Sequence, residues 1–89
     1  MSIPYTQNAR EVLRLAKEAA KTGGTACTAM NAANEEAVGL FLQDKIGFYD
    51  IADAVSAALC LPVVQEPSLA DIFEADRLAR VHTRERFLK

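Results

Sequence analysis

Apolar residues recur at helical spacing in four stretches of this chain, and the polar residues between them carry the marks of helix ends. The first stretch opens at Asn8, which reads as an N-cap, with Glu11 three residues on completing a capping-box pattern. Ala9, Val12, Leu13, Ala16, Ala19 and Ala20 then share one face, while Arg10, Arg14, Lys17 and Lys21 occupy much of the other. Gly23 and Gly24 end the stretch, because a residue at positive φ after the last turn costs glycine nothing. Residues 1–7 contain Pro4 and have no periodicity. They read as a lead-in or a cloning remnant, with the domain proper over 8–89.

The second stretch runs from Thr25 to about Asp44. Thr25 or Thr28 can cap it. Asn31 is a rival start, since Glu35 and Glu36 would then sit near a positive helix end. One long helix and a turn followed by a shorter helix are both open. The apolar face is Ala33, Ala37, Leu40 and Phe41, joined by Met30 if the helix is continuous, and Val38 and Leu42 widen it. So wide a stripe predicts a central helix with neighbours on more than one side.

Gly47 breaks the pattern, with Ile46 and Phe48 as plugs over the core, and it is expected to be required by its turn. Asp50 can cap a third helix running to about Leu59, with Ile51, Ala54, Val55, Ala58 and Leu59 on its face. Pro62 and Pro67 bracket an extended connection. Ser68 and Asp71 make a second capping-box pattern, and the last helix runs from Leu69 towards Phe87. Its buried candidates are Leu69, Ile72, Phe73, Ala75 and Ala79, and Asp76 and Arg80 form an i, i+4 pair. Four helices with short links predict an all-α fold, a small four-helix bundle.

Composition narrows the function classes. At 89 residues the chain is one domain with a single modest core, and a hydrophobic fraction of 51% is ample to fill it. The net charge of −2 argues against nucleic acid as a partner. Arg77, Arg80, Arg84 and Arg86 are interleaved with Asp76 and Glu85, as on a solvated helix face. No apolar run is long enough to span a membrane, no signal peptide precedes the first helix, and two cysteines make no disulfide framework. The expected compartment is the cytoplasm.

Candidate chemistry is sparse. His82 is the lone histidine, with no Cys, Asp or Glu at ligand spacing, and nothing sets Cys27, Cys60 or Ser56 beside it as a nucleophile. The cysteines read as small packing residues. Gly23-Gly24-Thr25 lacks the lysine and the preceding strand of a phosphate loop. The most suggestive cluster is Asn31, Asn34, Glu35 and Glu36. Asparagine is mildly unfavourable inside a helix, so Asn31 and Asn34 need a reason. Capping or side chain–backbone bonding between packed segments is one reason, and contact with a neighbouring domain is the other. Adjacent Glu35 and Glu36 point in different directions, so they make no metal site together. No catalytic, cofactor-binding or metal-ligating residue emerges.

Four blocks carry a resemblance. LRLAKEAAKTGGTA at 13–26, NAANEEAVGLFL at 31–42, KIGFYDIAD at 45–53 and SLADIFEADRLAR at 68–80 are similar, in this order and spacing, to the C-terminal helical domain of the 1-deoxy-D-xylulose 5-phosphate (DXP) reductoisomerase family. That family commonly has proline at the position of Cys27 and a small hydroxyl residue at that of Tyr49. The residues before Leu13 do not resemble the family's connection from its middle domain, which suggests a chain cut and restarted at Met1.

The resemblance implies a parent enzyme of the non-mevalonate isoprenoid pathway, a homodimer of V-shaped subunits. It would use NADPH and a divalent metal (Mg or Mn) to convert DXP to 2-C-methyl-D-erythritol 4-phosphate. The NADPH-binding domain and the connecting catalytic domain would hold the chemistry, and the helical bundle would support them. The family's metal ligands, substrate-binding residues and nucleotide fingerprint map to none of these positions. The alternative is a free-standing helical interaction module.

Overall fold

The structure, a computed structural model, describes residues 3–88, with side chains from Ala9 onward. It contains four helices: α1 (Ile3–Thr22), α2 (Ala26–Leu42), α3 (Asp50–Ala58) and α4 (Leu69–Leu88). No strand occurs among the described residues, and the all-α bundle predicted by the apolar spacing is present. None of these helices is long and apolar enough to cross a membrane.

α2 is the hub. It packs on α1, α3 and α4, as its wide apolar stripe requires. Ala29, Ala32 and Ala33 from its first half meet Ala58 and Ala79, with Leu61 against them. Ala37 from its second half meets Ile51 and Ala54, and Val38, Phe41, Ile46, Phe48 and Phe87 pack around them. The order of these contacts sets the directions. α3 runs against α2, and α4 runs the same way as α2. The Phe41 and Phe48 rings close the far end edge to face, with centroids 5.6 Å apart. Alanine dominates the core, and side chains this small let the helix axes approach closely.

The open question at the start of α2 resolves to one continuous helix. Thr25 occupies the N-cap position but makes no side-chain cap bond. It is buried, and its Oγ1 instead accepts the N–H of Val64 at 2.9 Å. The Thr25 N–H donates back to the Val64 carbonyl at 3.1 Å, and Gln65 Nε2 donates to the Thr22 carbonyl at 3.0 Å. The α1–α2 turn and the α3–α4 connection are thereby clasped together. Gly24 makes this approach possible. Its φ is +56°, and a Cβ there would lie 2.3 Å from the Val64 oxygen.

α2 ends in a Schellman motif. The Lys45 N–H donates to the Leu40 carbonyl and the Asp44 N–H to the Phe41 carbonyl, with Asp44 at φ 60°. At α4 the expected capping box is made: Ser68 N donates to Asp71 Oδ2 at 3.0 Å, and Asp71 N to Ser68 Oγ at 3.1 Å.

Four expectations fail, each for a physical reason. α1 begins at Ile3, so Asn8 lies inside the helix and not at its start. Proline is tolerated in a first turn, where its missing N–H would lack an acceptor anyway, and Pro4 therefore did not mark a break. The inward face of α1 is Leu15 and Ala19, whereas Leu13 and Ala20 are exposed, because α1 meets α2 and α3 but not α4. Gly47 is not at positive φ, and an added Cβ would meet only Asp50 Oδ2 at 3.6 Å. Asp50 is the first residue of α3, and its carboxylate accepts the Gly47 N–H at 2.8 Å. In α4 the buried residues are Ala79 and Thr83, while Leu69, Ile72 and Phe73 are exposed, since the start of that helix lies beyond the alanine contact.

Three stability predictions follow from this geometry. Gly24→Ala should destabilise by about 2–3 kcal/mol through positive φ and the Val64 contact, whereas Gly47→Ala should cost less than about 1 kcal/mol. Equal losses in urea melts would contradict this assignment of the two glycines. Ala33→Leu should cost about 1–3 kcal/mol by overpacking, and an unchanged melting temperature would mean the alanine cluster has room. Asp44→Gly should stabilise by about 0.5–1 kcal/mol by relieving the left-handed position; a lower melting temperature would refute the strain there.

Candidate functional site

Among the described residues α1 and α4 flank α2 without backbone contact between them, so a strip of α2 lies open. The opening is a shallow cleft of about 440 Å³ lined by Ala16 of α1, Cys27, Thr28, Met30 and Asn31 of α2, and Asp76 of α4. Asn31, singled out by sequence, is exposed and forms part of this lining. Asn34, one turn further on, is half-buried and does not line the cleft. Neither amide makes a side-chain hydrogen bond among the described residues. The capping or side chain–backbone bonding expected to explain two asparagines within a helix is therefore not made among the described residues.

One rim of the cleft is fixed by charge. Arg80 donates from Nε to Asp76 Oδ1 and from Nη2 to Glu35 Oε1, both at 2.8 Å. Glu36 lies 3.7 Å from Arg80 Nη1 and accepts from Arg84 Nη1 at 2.9 Å. Bonding to Asp76 first, and then to Glu35, raises the Arg80 pKa, so the guanidinium stays charged. At the next turns Arg86 grips both oxygens of Asp53, at 3.0 and 3.1 Å. Helix α4 is thus tied to α2 and α3 by ion pairs along its length. The arginine cluster reads in sequence as a solvated face, and what sequence could not disclose is that Glu35, Glu36 and Asp53 stand opposite it.

Beside the cleft, the first turns of α4 present Leu69, Ile72 and Phe73, three residues at i, i+3 and i+4 and hence on one stripe. Leu69 is 67% exposed and Phe73 66%. Such a stripe is a docking surface or an aggregation liability, not an ordinary helix face. The amphipathic pattern marks these residues as apolar neighbours, but only the packing reveals that no helix of this bundle covers them.

The remaining candidates are not drawn together. Cys27 and Cys60 are both exposed, so they are not the packing residues their type suggests. His82 is half-buried on α4. Among the described residues no group of three or more His, Cys, Asp or Glu side chains could hold a metal ion. The Gly23-Gly24 turn is filled by Val64 and Gln65, so it offers no cradle for a nucleotide phosphate.

Glu11 and Glu74 are held below the usual 4.5 by hydrogen bonds from Arg14 and Arg77. A carboxylate with a depressed folded pKa stabilises above its unfolded value, and that contribution is lost as pH falls through the folded one. The melting temperature should accordingly change little between pH 7 and about pH 5 and fall below about pH 4.5. A melting temperature that holds down to pH 3 would show these pairs to be without effect.

Comparison with known proteins gives one consistent family. Residues 4–82 match the DXP reductoisomerase C-terminal domain. The match takes in the turns before Leu13 that the sequence resemblance leaves out. A 1-deoxy-D-xylulose 5-phosphate reductoisomerase of Gloeobacter violaceus is 47% identical over 73 residues, covering 81% of this chain and 19% of that protein. Enzymes of the same name from Pseudomonas putida (47% over 74 residues, 82% and 19%) and Bacillus cereus (48% over 69 residues, 76% and 18%) agree. The chain therefore spans about a fifth of the length of the curated relatives it matches. No solved structure gives a significant match. The four blocks, the helical fold and the match over nearly the whole chain agree: the chain belongs to the family of DXP reductoisomerase C-terminal domains.

Proposed function

We propose that this chain is the supporting arm of a DXP reductoisomerase and performs no chemistry alone. The parent reaction converts DXP to 2-C-methyl-D-erythritol 4-phosphate with NADPH and a divalent metal, in a cytoplasmic homodimer. Among the described residues no group of three or more His, Cys, Asp or Glu could hold a metal ion, and the Gly23-Gly24 turn is packed against Val64 and Gln65. NADPH and the metal would be held by the NADPH-binding and connecting catalytic domains. The partners of this chain are those domains.

The observation that carries this reading is the exposure of Leu69 and Phe73 on α4. A bundle that stood alone would gain by turning such residues inward or replacing them. A bundle that packs on a larger body would keep them outside, where each buried large side chain contributes about 1.5–3 kcal/mol. The cleft beside them adds the free amide of Asn31, with Asn34 close by, as polar contacts to the neighbouring domain. Apolar anchors with a few polar groups at their edge are the ordinary composition of such an interface.

The test uses this chain and the Gloeobacter violaceus reductoisomerase shortened by its matching C-terminal region. The chain should bind the shortened enzyme and restore its turnover of DXP. Phe73→Glu and Leu69→Glu should weaken that binding at least tenfold and leave the melting temperature of the free chain within about 2 °C, because neither residue is in the core. Failure of the unaltered chain to bind at tens of micromolar would overturn the reading in favour of a free-standing helical interaction module. Undiminished binding by both variants would move the docking face elsewhere on the bundle.

A further inference from the structure

We draw no further inference here: the strongest candidate, the exposed apolar stripe of Leu69, Ile72 and Phe73 at the start of α4 with the Asn31 cleft beside it, belongs to the docking face already described, and nothing in the structure shows what else covers it.

Discussion

The reciprocal bonding of Thr25 and Val64 is the constraint on which the arrangement depends. Both backbone groups of Val64 are used: its N–H goes to the Thr25 hydroxyl and its carbonyl takes the Thr25 N–H. Thr25 is only 1% exposed whereas Val64 is 42% exposed, so it is the Thr25 groups that lie away from water, where leaving one unpaired costs about 1–3 kcal/mol. Three points of the fold meet at this clasp: the end of α1, the start of α2 and the connection between α3 and α4. Without it, the hydrogen bonding among the described residues between this connection and the α1–α2 turn would reduce to Gln65 Nε2 on the Thr22 carbonyl. Gly24 is the local requirement, because only a residue without Cβ lets the Val64 carbonyl approach.

The core that this clasp organises is built from small residues. Ala29, Ala32, Ala33, Ala58 and Ala79 hold three helices together at one end, and Leu40 and Val55 are the largest fully buried hydrophobics. A small core buries little area per residue, and hydrophobic stabilisation scales with that area. Meanwhile Leu13, Leu42, Leu69 and Phe73 remain largely exposed. This division, small residues inside and several large ones outside, matches a domain whose surface is completed by a larger body. The ion pairs of Arg80, Arg84 and Arg86 keep α4 in register over the alanine contact. Exposed pairs of this kind contribute little individually, so their role is alignment more than stability.

Much of the fold was legible in the sequence because its signals are local. The Ser68–Asp71 box, the Gly23-Gly24 turn and the 3.6-residue periods of α2 and α3 are each fixed by chain neighbours. The misreadings arise where tertiary context decides. Pro4 looked like a boundary because proline disrupts helix interiors, yet the helix already begins at Ile3. Leu69, Ile72 and Phe73 form a sound amphipathic face, but a face is buried only if a neighbour reaches it. Thr25 presented itself as a cap and serves a residue 39 positions away instead. Of the cleft lining, the sequence singled out Asn31, an asparagine out of place in a helix, whereas its companion Asn34 does not line the cleft. The empty space between α1 and α4 that exposes Asn31 cannot be read from spacing.

The most direct measurement of the clasp is native-state amide hydrogen exchange at Thr25 and Val64, compared with the core amides of Leu40 and Val55. If the clasp organises the fold, the Thr25 and Val64 amides open only with global unfolding, and their protection lies within about 1 kcal/mol of the core values. If Val64 instead exchanges as freely as an ordinary loop amide while α2 and α3 stay protected, the connection is passive and α4 is held by its helix contacts alone.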